Sequence, residues 1–311
     1  MNRRNFLKAG CYGAAFFSFS GLILPLSRQA YAATVTALFT ARATTKILVD
    51  NTTISLWQFT DPAGGPGTLP SGLTARSGDT VVITLTNRLP RAVNIVIPGA
   101  LTNTPPCAPG ATQTYMFTAP APGSYVYYDD LSGEIGRAMG LSGPFIVLPA
   151  DGSNVLYPGG PAFNRQYSLT LNEVDTRLNA AIAAGQLYDM ANYEPNYFFV
   201  NGLSFPASTI DPDTHVIMTV GERIALRFIN AGLIFNPIHF HGYHVNVASR
   251  NRVPETAVIN KDTVLVKQGE CVDLILPVTQ AGEYEVHSHY LPANTANGVY
   301  SNGAIVMLSA A

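Results

Sequence analysis

Charged side chains are scarce in this 311-residue chain, and no stretch of it is rich in basic residues. Asp, Glu, Lys and Arg make up 12% of the sequence, whereas about 25% is usual in soluble proteins. The chain has 18 Lys and Arg against 20 Asp and Glu, a net charge of −2. A phosphate backbone would meet no concentrated positive charge, which argues against nucleic acid as a partner.

Cysteine is also rare, with three residues in the whole chain. Hydrophobic residues make up 47%, and the 27 glycines and 22 prolines predict many turns. A disordered chain is therefore not expected. The length is about twice that of a typical domain, which leaves two domains or one large β-domain as the starting alternatives.

The first 32 residues have the pattern of an export signal. Asn2–Lys8 contains a twin-arginine pair, Ala9–Leu26 is apolar, and Ala30–Ala32 has the A-x-A form of a signal-peptidase site. A membrane anchor is the alternative, but glycines, serines and a proline dilute the apolar stretch below the roughly 20 residues that a span needs. We therefore predict export by the twin-arginine route, to the periplasm or to another location outside the cytoplasm. No later segment is apolar enough to cross a membrane, so the mature protein should have no membrane anchor.

Removal of this signal would also remove Cys11 and leave Cys107 and Cys271. An exported protein can hold a disulfide, but the spacing of these two residues does not imply one. The state of the two thiols stays open at this point.

Beyond residue 33 the sequence consists of short alternating or β-branched runs separated by Gly, Pro, Asn and Asp. Such spacing predicts an all-β sandwich or barrel. One helical segment is predicted early in the second half, Val174–Met190 with Asp175 as its N-cap. The predicted strands are Thr80–Leu85, Thr112–Phe117, Ser124–Tyr128, Val216–Val220, Ile224–Ile229, Val264–Val266, Val272–Leu276 and Ala304–Leu308.

The two halves of the chain resemble each other. Gly78–Asn87 aligns with Gly221–Asn230, and Gly110–Gly123 aligns without a gap with Gly269–Gly282. Such an internal repeat predicts two homologous β-domains. We place the boundary in the Gly-, Pro- and Asn-rich stretch 149–164, which gives domains at about 33–152 and 165–311.

All six histidines lie in the second half, and four of them form two His-x-His pairs. The pairs are His239-Phe240-His241 and His287-Ser288-His289, each in a segment with strand character. Because side chains alternate across a strand, each pair projects both imidazoles from one face. Two such pairs on neighbouring strands would surround one small volume, as a nitrogen-preferring transition metal requires.

We therefore predict His239, His241, His287 and His289 as metal ligands. The alternative is a set of core histidines bonded to backbone carbonyls, which is the more common fate of an isolated histidine. His215 and His244 fit the second interpretation, as surface residues or as residues that contact a ligand.

These motifs resemble those of a known family. Asn236–Gly242 resembles the H-P-x-H-x-H-G segment of multicopper oxidases, and Gly282–His289 resembles their closing H-C-H or H-S-H strand. Gly123–Tyr128 and Gly143–Val147 carry the same framework in the first half. The similarity covers both halves and is closest to members related to two-domain laccases and copper nitrite reductases. It implies two tandem cupredoxin-like Greek-key barrels and a ring-shaped homotrimer in which domain one of each chain faces domain two of the next.

Two departures from the family pattern decide what the resemblance implies for function. The family holds a blue copper with two His and one Cys, but Ser288 stands in the place of that Cys and Asn236 in the place of a His. A blue-copper site is therefore not expected. The chain would be a degenerate member of the family.

The trinuclear centre of the family resembles a cage of eight histidines in four pairs, half of them from each kind of domain. By the internal repeat, His239 and His241 correspond to Val96 and Pro98, and His287 and His289 correspond to Tyr128 and Asp130. Half of the cage is missing, so laccase-like four-electron reduction of oxygen is not expected.

The remaining half-site would face Tyr128, Asp129 and Asp130 of a neighbouring chain if the trimer resemblance holds. Asp130, Tyr128 and His244 are the candidates for a further ligand or for a contact with one. Tyr128 has a second interpretation, as a packed barrel tyrosine in a Tyr-rich strand. The resemblance favours copper, and the ligand type also admits zinc.

Two functions remain open. The first is an exported copper protein whose oxidoreductase activity is at most restricted, because it lacks a blue copper. If the ion were zinc and the reaction a hydrolysis, the site would also need a general base, for which Asp130 and Glu134 are candidates. The second is a non-catalytic copper-binding, structural or partner-binding protein on the old oxidase scaffold.

Replacement of the arginine pair tests the export signal. Arg3→Lys together with Arg4→Lys should leave the precursor in the cytoplasm, because the route reads the two arginines. Cell fractionation and mass determination should find wild-type protein in the periplasm, beginning at Ala33. Equal processing of the variant would contradict twin-arginine export.

Overall fold

The fold is built almost entirely from β-strands, as the alternating and turn-rich sequence predicts. The computed structural model describes residues 32–61 and 72–311. The predicted export signal lies outside these residues except for Ala32.

The first half forms two sheets. The four-stranded sheet has the order β2-β1-β4-β5, and the three-stranded sheet has the order β3-β7-β6. Alternating side chains of these strands point inward and form one apolar core, which includes Phe39, Val81 and Tyr125. The elements are β1 (Thr34–Ile47), β2 (Thr53–Thr60), β3 (Leu73–Arg76), β4 (Thr80–Asn87), β5 (Thr112–Thr118), β6 (Gly123–Tyr128), α1 (Glu134–Ala138) and β7 (Ser142–Leu148).

The second half repeats this plan with more strands. One sheet has the order β10-β20-β17-β12-β15, and the other has the order β14-β13-β16-β11-β8-β9-β18-β19. The elements are β8 (Arg165–Val174), α2 (Thr176–Ala183), β9 (Tyr197–Val200), β10 (Val216–Met218), β11 (Arg223–Asn230), β12 (Asn236–Phe240), β13 (Val245–Arg250), β14 (Val253–Lys261), β15 (Thr263–Val266), β16 (Cys271–Pro277), β17 (Gly282–Ser288), β18 (Thr295–Ala296), β19 (Val299–Tyr300) and β20 (Ile305–Ala310), with short 3-10 helices at Met190–Asn192, Ala207–Thr209 and Leu291–Asn294.

Within the described residues each sheet takes its strands from one half of the chain. Both halves nevertheless lie in one compact unit, Tyr31–Ala311. The division into domains at 33–152 and 165–311 stays a prediction.

The predicted helix exists but is shorter than expected. Asp175 caps it as predicted, since its carboxylate accepts a hydrogen bond from the Arg177 backbone N–H at 2.9 Å. Val174 belongs to β8, and the helix ends at Ala183, two residues before Gly185, which has a φ of +70°. The short helix α1 was not predicted, because five residues are too few to show a helical period.

Two buried asparagines show how closely the halves repeat each other. The Asn87 side chain donates to Arg91 O at 2.7 Å and accepts from Leu89 N at 2.9 Å. Asn230, its aligned counterpart, donates to Ile234 O at 2.7 Å and accepts from Gly232 N at 3.1 Å. The same side chain therefore closes the same turn after β4 and after β11.

The hairpin β13–β14 is the main addition to the second half. It pairs with β16, whereas no described strand of the first half pairs with the corresponding edge of β5. Arg252 at its turn stacks on Tyr125, with its guanidinium carbon 4.2 Å from the ring centroid. Gly123 leaves room for this arginine, because a Cβ there would lie 2.7 Å from Arg252 Cγ. The added hairpin thus joins the second half to the first.

A buried ion pair lies at the same contact between the halves. Arg227 and Asp273 are 0% and 2% exposed, and their closest N and O atoms are 3.2 Å apart. Ser124 of β6 donates to the same Asp273 oxygen at 2.5 Å, and Ser249 donates to the other oxygen at 3.0 Å. Both ions belong to the second half, and the Ser124 hydroxyl of the first half adds a hydrogen bond to the buried carboxylate of the pair.

In the described part of the chain, no helix is long and apolar enough to span a bilayer. Cys107 and Cys271 are both buried and free. The disulfide that the sequence left open is therefore not formed.

Candidate metal centre

Two neighbouring strands carry the histidine pairs. β12 and β17 are antiparallel, and His239 lies directly opposite His287. The pairing continues past both strand ends, because His289 N donates to Pro237 O at 2.7 Å and His241 N donates to Glu285 O at 3.0 Å. Backbone hydrogen bonds therefore hold all four histidines in one register.

Alternation sends the four imidazoles to the outer face of this sheet. The residues between them, Phe240 and Ser288, are each 1% exposed and point into the core. His239 and His287 are half-buried, whereas His241 and His289 are exposed. The histidine face is thus open at both ends and partly covered in the middle.

The four rings lie close to one another. The ring centroids of His239 and His289 are 4.4 Å apart, and those of His241 and His287 are 5.0 Å apart. The other measured separations, His239–His241, His287–His289 and His239–His287, are 4.9, 5.6 and 5.9 Å. Both diagonal separations, 4.4 and 5.0 Å, are shorter than the 5.9 Å between the directly opposite His239 and His287, as expected where twist shortens one diagonal of a pair.

Two nitrogen atoms lie within a few tenths of an ångström of the separation that a shared ion requires. His241 Nε2 and His287 Nε2 are 3.0 Å apart. With metal–nitrogen bonds of about 2.0–2.1 Å, two ligands of one tetrahedral ion stand about 3.3 Å apart. The donor set of this pair therefore fits a nitrogen-preferring ion.

The four histidines together do not form a complete metal site in this arrangement. Among residues 32–61 and 72–311, no three His, Cys, Asp or Glu side chains stand in place to hold a metal ion. A third ligand would require a side chain to rotate toward the His241–His287 pair.

Neighbouring polar groups contact the far nitrogens of two rings. His239 Nδ1 lies 3.0 Å from the Thr263 hydroxyl oxygen. His287 Nδ1 lies 3.2 Å from Ser288 O and 3.2 Å from the Asn294 amide nitrogen. A hydrogen bond from Nδ1–H to an oxygen leaves the Nε2 lone pair free for a metal.

Burial disfavours the charged form of the two inner imidazoles. It lowers the pKa of His239 and His287, and the neighbouring imidazoles lower both further. The carboxylates of Asp262, near His239, and Glu285, near His287, act in the opposite direction. A neutral imidazole is the form that binds a metal.

His215 and His244 do not join this group. His215 Nε2 lies 2.5 Å from the Ser309 hydroxyl, which donates to Glu283. His244 is exposed beside a cavity of about 400 Å³ lined by Tyr243 and Asn260. Neither ring takes part in the ring contacts among the four histidines within the described residues.

The aligned positions of the first half have the same backbone geometry without imidazoles. Val96 and Tyr128 form an antiparallel bridge, with N–H···O distances of 2.9 and 3.0 Å. This bridge corresponds to the His239–His287 pair, as the repeat predicts. The scaffold of a second histidine site is therefore present, but its ligands are not.

The acidic residues beside Tyr128 differ in what they can reach. Asp129 was expected to face a neighbouring chain, but it is 0% exposed and accepts from Asn94 N and Ser132 N at 2.9 and 3.1 Å. It caps the local backbone and is not available to a partner. Asp130 is exposed and is contacted by the Asn94 amide at 2.6 Å, and Glu134 is exposed at the start of α1.

The two positions at which the resemblance implies blue-copper ligands hold buried polar residues. Ser288 is 1% exposed and its hydroxyl accepts from Tyr290 N at 3.1 Å, and Asn236 is 5% exposed. The thiols lie elsewhere, Cys107 in the first-half core and Cys271 between the halves. Burial raises the pKa of both thiols, so neither supplies a thiolate.

Three residues near the cluster were not predicted. Thr263 and Asn294 come from β15 and from the 3-10 helix after β17, and no spacing rule connects them to the histidines. Glu285 had a signal in the sequence, because Glu285, His287 and His289 are alternate residues of one strand.

Two family models match this chain. Both are described as multicopper oxidase, one over residues 66–152 and the other over residues 181–302. Together they cover more than half of the chain. The chain belongs to the multicopper oxidase family.

Several solved structures have a similar fold. The blue copper oxidase of Nitrosomonas europaea has a TM-score of 0.75 at 23% identity, over 89% of this chain and 86% of that one. The copper nitrite reductase of the same organism has a TM-score of 0.68 at 22% identity, over 89% and 94%. A laccase from Botrytis aclada has a TM-score of 0.65 at 20% identity, over 89% of this chain and 53% of the laccase.

At these identities the likeness shows the fold alone, and it confirms the predicted all-β, cupredoxin-like architecture. No curated protein sequence matches this multicopper oxidase homologue significantly.

Tyr128 of this multicopper oxidase homologue packs against Arg137. The guanidinium carbon lies 5.0 Å from the ring centroid. Arg137 also donates to Ala231 O and Gly232 O at 3.2 and 2.7 Å, in the loop that leads to β12. Tyr128 therefore supports the contact between the halves, and its role beside a metal stays a prediction.

Glu173 is a buried carboxylate under the same loop. It is 4% exposed and accepts from Leu233 N at 2.5 Å and from the Tyr193 hydroxyl at 3.3 Å. Gly232 permits this close approach, because a Cβ there would overlap the carboxylate. Burial raises the pKa of Glu173 from 4.5 to about 7, against the opposing effects of these donors and of Arg137.

Glu173→Gln should remove a pH-dependent loss of stability. Because the folded state holds the Glu173 proton more tightly than the unfolded state, the free energy of unfolding falls as pH rises from about 4.5 to about 7. This group accounts for about 3 kcal/mol over that window. Urea unfolding of both proteins at pH 4.5 and 8 measures it, and equal pH dependence in the two proteins would contradict the assignment.

Proposed function

We propose that this multicopper oxidase homologue binds a transition-metal ion through His239, His241, His287 and His289, and has at most restricted oxidoreductase activity. Copper is the first choice and zinc the alternative. The observation that carries the proposal is four imidazoles on one sheet face with two Nε2 atoms 3.0 Å apart. Family membership favours copper over zinc.

We expect restricted oxidoreductase activity because other residues stand where the family resemblance implies further copper ligands. Buried Ser288 offers no thiolate, so the proposal includes no blue copper to accept electrons from a distant donor. Val96 and Tyr128 stand where a second set of histidines would be. A reductant would therefore have to reach the metal directly.

The protein groups would serve such a site in distinct ways. Bound copper would supply one-electron redox chemistry, and bound zinc would supply a Lewis acid. His239 and His287 bind as neutral rings, since their lowered pKa disfavours the protonated form. His241 and His289 are exposed in the single chain, so there a small molecule would have access from solvent. Asp130 and Glu134 of a neighbouring chain remain the candidate bases for the zinc version.

A non-catalytic role on the same scaffold is the second candidate. It is favoured by the incomplete ligand set, because in the described residues no three such side chains already stand around one point. Export by the twin-arginine route to the periplasm belongs to both proposals and rests on the pattern of residues 1–32.

Removal of one ring from each pair tests the metal site. His239→Ala with His287→Ala should reduce bound copper from about one ion per chain to none, because each strand loses a ligand. Copper titration with electron paramagnetic resonance is the measurement, and a nitrogen-rich mononuclear signal is expected for the wild type.

His215→Ala with His244→Ala is the matched control, since these are the two histidines outside the group. It should bind copper as the wild type does. No binding by the wild type would favour the non-catalytic scaffold, and unchanged copper in the His239/His287 variant would refute the ligand assignment.

We also propose a homotrimer in which the histidine face of one chain meets Asp130 of the next. Exposed His241 and His289 leave that face accessible, and Asp130 is the exposed acidic residue of the facing segment. Asp130→Arg should break the trimer, because it places a cation against the metal site. Sedimentation should show three chains for the wild type and for the control Asp213→Arg, and a monomeric wild type would contradict the proposal.

A further inference from the structure

The aligned strands of the two halves differ in how far they are covered. In the second half, β11 is buried on both faces from Ile224 to Asn230, and β16 is buried on both faces from Cys271 to Leu276. In the first half, the side chains of β4 and β5 that point away from the core are partly or fully exposed. The outer face of β4 and β5 therefore lacks, within residues 32–61 and 72–311, the cover that its counterpart has.

Strand β6 of the first half provides that cover. Ser124 donates to Asp273 of β16 at 2.5 Å, and Val126 packs in one apolar cluster with Ile229 of β11. β6 is itself buried on both faces from Gly123 to Tyr127. The contact inside the chain thus buries the strands on either side of it.

The counterpart of β6 in the second half is the histidine strand β17, whose outer face is open. By the internal repeat, Glu283 stands at the position of Ser124 and Glu285 at the position of Val126. Glu283 is exposed and Glu285 is half-buried. The chain therefore contains two pairs of homologous faces and joins one of them, whereas β17 and the outer face of β4 and β5 stay open.

The hydrogen-bonding groups of the two pairs are exchanged in a complementary way. Within the chain, the Ser124 hydroxyl on β6 donates to the Asp273 carboxylate on β16. The aligned groups are a carboxylate on β17, Glu283, and a hydroxyl on β5, Thr114. Because a hydroxyl donates and a carboxylate accepts, the second pair of faces can form the same hydrogen bond with its direction reversed.

The outer face of β4 and β5 carries no charge that would oppose this contact. Thr84 and Thr114 stand where the second half has the buried pair Arg227 and Asp273, and their hydroxyl oxygens lie 3.5 Å apart. The hydroxyls of this face can therefore receive a carboxylate. The outer side chains of the two strands are Thr80, Val82, Thr84, Thr86, Thr112, Thr114, Met116 and Thr118.

We propose that the outer face of β4 and β5 is the docking surface for β17 of a second copy of this chain, with Thr114 donating to Glu283 of that copy. The occupant is a second copy because the two open faces are homologous to a pair that already packs inside the chain. Contact between unlike faces is heterologous, and it closes into a ring where the rotation allows. The inference rests on the homotrimer proposed above and assigns it a surface. Since β17 also carries His287, the contact would place the histidine face at the boundary between two chains.

Substitutions that recreate the internal pair between chains test this surface. Thr114→Asp should weaken association at least about tenfold, because it sets a second carboxylate against Glu283. Thr114→Asn has the same shape without the charge, so it is the matched control and should associate as the wild type does. Adding Glu283→Ser to Thr114→Asp should restore association, since the two groups then repeat Ser124 and Asp273. Sedimentation of the mature chain measures association in the wild type and in each variant.

Loss of association in Thr114→Asp, together with its recovery in the double variant, supports the surface. Wild-type association in Thr114→Asp would overturn the inference and leave the homotrimer standing. A loss that Glu283→Ser does not repair would also overturn it, because Thr114 would then not face Glu283. A monomeric wild type would refute the homotrimer as well, whereas the copper titration judges the metal site separately.

Discussion

The register between β12 and β17 is the constraint on which the site depends. A slip of β12 by one residue would turn His239 and His241 into the core and Phe240 to the surface, and a slip of β17 would do the same to His287 and Val286. Ile238, Phe240 and Val286 are 3%, 1% and 3% exposed, and burial of each such side chain contributes ~1.5–3 kcal/mol. Apolar packing on the inner face therefore positions the histidines on the outer face, without any contribution from a metal.

Packing of the inner faces also explains why the two halves share a backbone arrangement but carry different residues on their outer faces. The Asn87 and Asn230 networks keep the turns after β4 and β11 alike, and the bridge of Val96 to Tyr128 repeats that of His239 to His287. Since the fold needs only the inner faces, outer residues of the first half are free to change. Tyr128 has become part of the contact between halves, through Arg137.

Much of this arrangement could be predicted from the sequence, because it depends on local periodicity. Period-two alternation predicts the shared face of each histidine pair, and the internal repeat predicts the Val96–Tyr128 counterpart. Periodicity did not predict the position of Asp129. Its carboxylate turns inward and caps backbone N–H groups, because of a loop conformation that no strand pattern encodes. Thr263 and Asn294 were missed for a related reason, since they reach the histidines through tertiary contact.

The close approach of His241 to His287 also determines what metal binding must change. Two Nε2 atoms 3.0 Å apart are compatible only if one carries a hydrogen and the other accepts it. An ion bound to both must displace that hydrogen, which then moves to an Nδ1 atom or to solvent. His287 Nδ1 lies between an acceptor, Ser288 O, and a donor, the Asn294 amide, so its surroundings accommodate either tautomer. The two imidazoles thus hydrogen-bond to each other without a metal, and both of their Nε2 lone pairs can still turn toward a metal ion.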